Sequence, residues 1–290
     1  MVTGDGGQSR TRRQRLAAEL RRLRDLAGIS GRDLAQRIGI SQSKVSRIES
    51  GATLPSLPEV MAWADAVGTA EAAGWLAALT EAAFTEVHTW RAALQLRPHL
   101  QGEIQEREAR AQMSRTFQPS VVPGLLQTAE YARRTFAMSP VPYAPDGVPA
   151  AVAGRLERQL TLFRDDKRFD FLITEAALRW CPGSSELMIP QLDRIASVST
   201  LDNVSIGLIP HREHALTFMS HSFVIYDHHG DDLDTFVEVE TSHANLIIND
   251  PGDVGLYENR WSLLSQMAIF DGEAREFLAV LAAQFQNAGA

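Results

Sequence analysis

One cysteine, Cys181, among 290 residues leaves the chain without an internal disulfide and without a cysteine-built zinc site. Its longest apolar runs, such as Phe277-Leu278-Ala279-Val280-Leu281-Ala282-Ala283, stop well short of the roughly 18 residues that a membrane helix needs. The opening Met1-Val2-Thr3-Gly4-Asp5-Gly6-Gly7 has no basic segment leading into an apolar one, so no secretory leader is expected. Aromatic residues are scarce at 7%, yet 44% hydrophobic residues suffice for real cores, and wholesale disorder is not expected. There is no Gly-rich loop ending in Gly-Lys-Ser/Thr, no His-Glu-x-x-His and no Gly-x-Ser-x-Gly, so the enzyme classes marked by those motifs are excluded and no cofactor is implied. These absences predict a soluble, cytoplasmic, non-enzymatic chain, and the length predicts two domains.

The charge is unevenly spread. The whole chain carries a formal −8, but residues 1 to 60 hold eleven basic and six acidic side chains, net +5, and the remainder is net −13. Such asymmetry points to a small basic domain that meets a polyanion, joined to a larger acidic one that does not. A solvated basic helix face is the alternative that charge alone leaves open.

Residues 1 to 9 read as a disordered lead-in. From Gln14 to Ala27, Leu16, Leu20 and Leu23 recur with the period of one helix face, and Gly28 ends that helix. Ser30 can cap a second helix carrying Leu34, Ala35 and Ile38 up to Gly39. Ser41 can cap a third, which turns Val45 and Ile48 inward and stops near Gly51. Pro55 and Pro58 bracket the start of a fourth helix that runs through Trp63 to Gly68. These helices form one domain over residues 10 to 70, and an Ala-rich stretch over 71 to 96 reads as a helical connector.

Residues 97 to 290 are expected to form an α+β domain. Helices are predicted over Leu100–Thr116, Leu125–Phe136, Val152–Phe163, Glu186–Ser199, Gly255–Phe270 and Gly272–Gln286. Four or five strands are predicted, among them Phe169–Thr174, Val204–Ile209, Phe218–Tyr226 and Thr235–Glu240, because those runs are rich in branched and aromatic residues.

Two helices that cross closely need a small residue at the crossing, a glycine in the turn and branched apolar residues on the second helix. Ala35, Gly39, Val45 and Ile48 supply these at increments of four, six and three, the pattern of a helix-turn-helix. Over Ser30-Gly31-Arg32-Asp33-Leu34-Ala35-Gln36-Arg37-Ile38-Gly39-Ile40-Ser41-Gln42-Ser43-Lys44-Val45-Ser46-Arg47-Ile48-Glu49-Ser50-Gly51 the chain resembles the XRE (lambda-repressor-like) family of regulators. The resemblance implies an all-α DNA-binding domain whose third helix enters the major groove of duplex DNA. With Val45 and Ile48 facing the core, Gln42, Ser43, Ser46 and Arg47 are the candidate base contacts: Gln42 pairs with adenine, and Arg47 reaches guanine or a phosphate. Arg32, Arg37, Ser41 and Lys44 are the candidate phosphate contacts, with the N-terminal arginines beside them. The resemblance also implies an Arg24–Glu49 pair locking the first helix to the third. One departure stands out: many family members carry Gln where this chain has Gly31, so Arg32 is the nearest substitute for that buttress.

A second resemblance covers about Trp90 to Phe285. It rests on Glu108-Ala109, Val122-Pro123-Gly124-Leu125-Leu126-Gln127-Thr128-Ala129-Glu130-Tyr131-Ala132-Arg133, Arg155-Leu156-Glu157-Arg158-Gln159, Ile173-Thr174-Glu175-Ala176-Ala177-Leu178-Arg179 and Val204–Pro210. Together these look like the domain following XRE modules in actinobacterial antitoxin-like regulators, including the WhiJ type. The resemblance implies a domain that binds a small acidic partner protein encoded nearby or senses a signal, and that helps form a homodimer. The Pro123–Arg133 block is the candidate partner contact, with an interior turn and helix cap as the alternative. Two polar clusters, His211-Arg212-Glu213-His214 and Asp227-His228-His229 with Asp231 and Asp232, read as loops flanking a strand rather than as a metal site. Cys181 reads as a packed or half-exposed thiol. The reading that emerges is a sequence-specific regulator bound as a homodimer, with a partner-neutralising antitoxin module and a small-molecule-responsive repressor as rivals.

Overall fold

The computed structural model describes residues 6–90, 104, 108–109, 111–144, 146–227 and 235–288. It divides into two compact units: the chain up to Thr89 together with Leu246–Asp250, and Trp90–Asn245 together with the chain from Pro251 onward. The first is helical and the second α+β, as expected from the sequence.

The smaller unit is built from α1 (Gly6–Leu26), α2 (Gly31–Ile38), α3 (Gln42–Glu49), α4 (Leu57–Ala66) and α5 (Ala73–Phe84). Leu16 and Leu20 from α1, Leu34 from α2, Val45 and Ile48 from α3, and Val60 and Trp63 from α4 share one core. Burying the Trp63 indole requires a partner for its N–H, which donates to the Leu20 carbonyl at 3.2 Å. Local chemistry sets each boundary. Ser30, Ser41 and Ser56 cap α2, α3 and α4, and Gly28, Gly39, Gly51 and Gly68 take positive φ in the turns between helices.

Two expectations for this region change. Gly6–Ser9 belong to α1 rather than to a disordered lead-in, while residues 1–5 lie outside the described residues. The connector expected to be helical over 71–96 is helical only to Phe84; Thr85–Thr89 form a strand, β1, and residues 91–96 lie outside the described residues. Thr85, Val87 and Thr89 are β-branched, which costs rotamer freedom in a helix. A partner from far along the chain, β7 (Ala244–Ile248), neighbours β1 in the sheet order, and the Asn249 N–H donates to the Phe84 carbonyl at 3.1 Å.

The larger unit is organised on a mixed sheet. Its strands β2 (Met113–Gln118), β3 (Arg168–Thr174), β4 (Val204–Ile209), β5 (Phe223–Asp227) and β6 (Phe236–Glu240) lie in the order β6-β5-β2-β3-β4. β3 is parallel to both β2 and β4, whereas β5 is antiparallel to β2 and β6. Helices α6 (Ala129–Ala137), α7 (Gly147–Arg158), α8 (Glu175–Arg179), α9 (Ser185–Val198), α10 (Pro251–Gln266) and α11 (Asp271–Ala288) surround it. Phe169, Phe171 and Ile173 of β3 pack with Leu192 and Ile195 of α9 and Leu278 and Leu281 of α11.

The segment expected as a helix over Leu100–Thr116 instead ends in β2, and most of residues 100–110 lie outside the described residues. A strand there is stable because β2 lies between β3 and β5, which satisfy its backbone on both edges. The helix expected over Leu125–Phe136 divides into a 3-10 turn, Gly124–Leu126, and α6, with Thr128 capping α6 between them. The one expected over Val152–Phe163 likewise divides, into α7 and a 3-10 turn, Gln159–Phe163.

Gly207 in β4 marks a close approach: a β-carbon there would stand 2.6 Å from both Leu172 Cδ2 and Phe270 Cε1. Gly207→Ala should therefore destabilise the larger unit by about 1–3 kcal/mol, through displaced neighbours rather than backbone strain. A urea titration showing unchanged stability would contradict this packing.

Candidate nucleic-acid interface

The turn between α2 and α3 is fixed by its own backbone. Gly39 sits at φ 75° and its N–H bonds back to the Ala35 carbonyl, while Ala35 is itself buried at the crossing. Ser41 is extended, and its hydroxyl accepts the Lys44 N–H at 3.2 Å, closing the first turn of α3. From that start, Val45 and Ile48 point into the core. Gln42, Ser43 and Ser46 emerge on the exposed side, and Arg47 lies half-buried beside them with its Nε shielded from solvent. Four side chains expected to act together thus share one short helix, three of them fully presented.

The electrostatics around α3 are more constrained than charge counting suggests. Arg24 donates to Glu49 through two nitrogens, one at 3.0 Å, and to the Ile29 carbonyl at 2.9 Å, so the expected tie between α1 and α3 is present. Hydrogen bonding to Glu49 holds the Arg24 guanidinium above its ordinary range. Lys44 reaches across to Glu59 at 2.6 Å. The same carboxylate accepts the Ser56 N–H at 2.9 Å, forming the capping box that starts α4. Burial alone would push Glu59 up, but the hydrogen bonds from Lys44 and Ser56 outweigh it and hold the carboxyl below its usual range.

Among the expected phosphate contacts, Arg32 and Ser41 are exposed. Arg37 is exposed too, though one of its nitrogens donates to the Ala66 carbonyl at 3.0 Å, at the C-terminus of α4 where a cation is favoured. Lys44 and Arg37 therefore brace α4, a role that sequence reasoning missed. The Ser56-Leu57-Pro58-Glu59 spacing held the clue to one of them, since a capping-box glutamate beside α3 invites a lysine. At Gly31 a β-carbon would make ordinary contact with Val45 Cγ1 at 3.7 Å, so the glycine is not required by space.

The other residues singled out from the sequence have structural surroundings. Leu125, Leu126, Tyr131 and Ala132 of the Pro123–Arg133 block are buried and Thr128 caps α6, which is the interior turn and cap rather than an open surface. Cys181 is half-exposed, with its sulfur 3.4 Å from the Gly183 carbonyl. His211 lies 3.7 Å from Glu175 through Nδ1, and its N–H donates to the same carboxylate at 2.9 Å. Residues 228–234, with most of the second polar cluster, lie outside the described residues. No group of three His, Cys, Asp or Glu among the described residues is placed to hold a metal ion, and no described helix is long and apolar enough to cross a membrane.

Residues 15–73 match a helix-turn-helix domain, and residues 101–280 match a domain of unknown function, DUF5753. No curated protein matches the chain. Seven solved chains do, among them TrmBL2, described as an archaeal chromatin protein with a novel mode of DNA binding. That match has 13% identity and a TM-score of 0.30, covering 71% of this chain and 62% of the other, a likeness too slight to inform on fold or function. The chain thus spans less than two thirds of that protein's length.

Because the Glu59 carboxyl is held below its unfolded value of about 4.5, its contribution is complete above that pH and is lost as the pH falls through the lower, folded value. Glu59→Gln should lower the protection of α4 amides in hydrogen exchange by about 1 kcal/mol at neutral pH. The difference from the parent protein should shrink on acidification below pH ~4.5; a constant difference down to low pH would show that Glu59 acts otherwise.

Proposed function

The chain belongs to the DUF5753 family, and from that family with a helix-turn-helix domain ahead of it we propose a sequence-specific, DNA-binding transcriptional regulator that acts as a homodimer and has no enzymatic role. The observation that carries this reading is the sidedness of α3, with Gln42, Ser43 and Ser46 outward and Val45 and Ile48 inward. A helix so oriented can lie in a major groove, where an amide such as Gln42 pairs in bidentate fashion with adenine. Arg47 lies half-buried on the same helix, which favours a contact at the groove edge. Arg32 and Ser41 contact phosphates, while Arg37 shares donors between a phosphate and the end of α4, having five to offer. Two such domains in a dimer would engage half-sites about one helical turn apart.

A second reading is favoured by a stripe of exposed apolar side chains. Leu156, Leu160 and Phe163 are 39, 65 and 62% exposed at spacings of four and three along the end of α7 and the following turn. Such a stripe suits a protein partner, and an antitoxin-like regulator that neutralises a small acidic protein would use it while binding DNA to regulate its own expression.

Fluorescence anisotropy on the chain's own promoter separates these contributions. Gln42→Ala and Arg47→Ala should each weaken specific binding by about 1–3 kcal/mol and relax base preference. With five to eight phosphate contacts, the slope of log affinity against log salt should be roughly −5 to −7. Unchanged affinity in both variants, or salt-independent binding, would remove DNA recognition from α3. Partner capture that survives in the double variant would place the second activity elsewhere.

A further inference from the structure

The larger unit contains a cavity of about 470 Å³ between the sheet and helices α6 and α7. Two arginines of α7 line it, three residues apart and in different circumstances. Arg158 is gripped by Glu108 through hydrogen bonds of 2.9 and 2.8 Å. Arg155 has no carboxylate within ion-pair distance among the described residues. One of its nitrogens donates to Gln127 Oε1 at 2.6 Å, and its guanidinium carbon lies 4.1 Å from the centre of the Phe136 ring. Its Nε is sealed from solvent without a hydrogen-bond partner among the described residues. The guanidinium lies over Gly124, where a β-carbon would make ordinary contact at 3.5 Å from its Cζ.

A half-buried guanidinium with no carboxylate in ion-pair contact is incompletely compensated, although Glu240 and Glu108 attract it from beyond that distance, and such groups favour an anionic partner. Burial, and then the neighbouring Arg158 charge, push Arg155 down to about 10, which still leaves it charged at neutral pH. We propose that this cavity is a binding site for a small organic carboxylate with an aromatic or branched apolar body, its anionic group paired with Arg155. The chemistry of the wall selects both parts. Phe136, Tyr143, Phe171, Trp180 and Phe223 offer apolar and aromatic surface to the body. Glu108, Glu238 and Glu240 also line the space, so a doubly charged phosphate would meet more repulsion than a single carboxylate. The volume falls within the roughly 300–1,000 Å³ of small-molecule sites. The assignment concerns the larger unit alone and stands whether or not α3 reads DNA.

Titration of the full-length protein with phenylacetate and 3-phenylpropionate, each against its amide and against inorganic phosphate, tests this. Trp180 lines the cavity, so tryptophan emission reports occupancy, and thermal denaturation gives a second readout. The carboxylates should change the emission and raise the melting temperature, binding at least about tenfold more tightly than the amides, with phosphate weaker than either. Arg155→Met should abolish the preference for acid over amide. Absence of carboxylate binding up to about 10 mM, equal binding of acid and amide, or phosphate binding as tightly as the acids would overturn the proposal. So would an unchanged preference in Arg155→Met. The acid-against-amide comparison on the parent protein decides the matter even if that variant does not fold.

Discussion

Arg158 and Glu108 meet almost wholly shielded from water, at 7 and 6% exposure, and the polar interior of the larger unit is arranged around them. Removing one member of such a pair leaves a naked charge, which typically costs about 3–5 kcal/mol, so the neighbouring backbone must stay in place to keep both satisfied. Lys167 adds its ammonium to the Glu108 and Ala109 carbonyls at 2.7 and 2.9 Å, holding the approach to β2. Gln159, next to Arg158, donates to the carbonyls of Gly124 and Gln127 at 3.1 and 2.7 Å. Gln191 on α9 donates to the Leu126 carbonyl and accepts the Thr128 N–H, both at 2.8 Å. The turn from Pro123 to Thr128 is thereby bonded at once from α9 and from the 3-10 turn that follows α7.

The smaller unit reaches order by a different route. Its boundaries come from short-range chemistry, a serine before each of α2, α3 and α4 and a positive-φ glycine in the turns, and long-range charge enters only to brace α3 and α4. Lys44 with Glu59, Arg37 with the Ala66 carbonyl, and Arg24 with Glu49 each join α3 or its neighbour to another helix. A helix of only eight residues, such as α3, would not hold its shape in water unaided. Those side chains and the Val45–Ile48 contacts give it a fixed orientation, which any readout of base edges requires.

What could be read beforehand follows the same division. Caps, glycines and the leucine period of α1 act within a few residues, so the first four helices and the outward residues Gln42, Ser43 and Ser46 were visible in the sequence. The strands β3 to β6 were visible because their branched and aromatic runs are local too. β2 was not: Met113-Ser114-Arg115-Thr116-Phe117-Gln118 has little apolar character, and it is a strand because β3 and β5 claim its two edges. β1 and β7 were hidden for a similar reason, each depending on a neighbour distant in the chain. The cavity was the least legible feature, since Arg155 meets Gln127, and Arg158 meets Glu108, across 28 and 50 residues. A hint did exist. Ala151, Arg155 and Arg158 recur at helical spacing on the buried side of α7, where a charged residue needs explaining.

Only two lysines occur in the chain, and both amines are committed, Lys44 to Glu59 and Lys167 to a cluster of main-chain oxygens. The exposed positive charge of the smaller unit is consequently arginine, which stays cationic at any physiological pH and has no neutral acylated form. Acetylation, the common means of discharging a nucleic-acid-binding surface, finds almost nothing to act on. Affinity in such a protein has to be adjusted by what it binds rather than by erasing its charge.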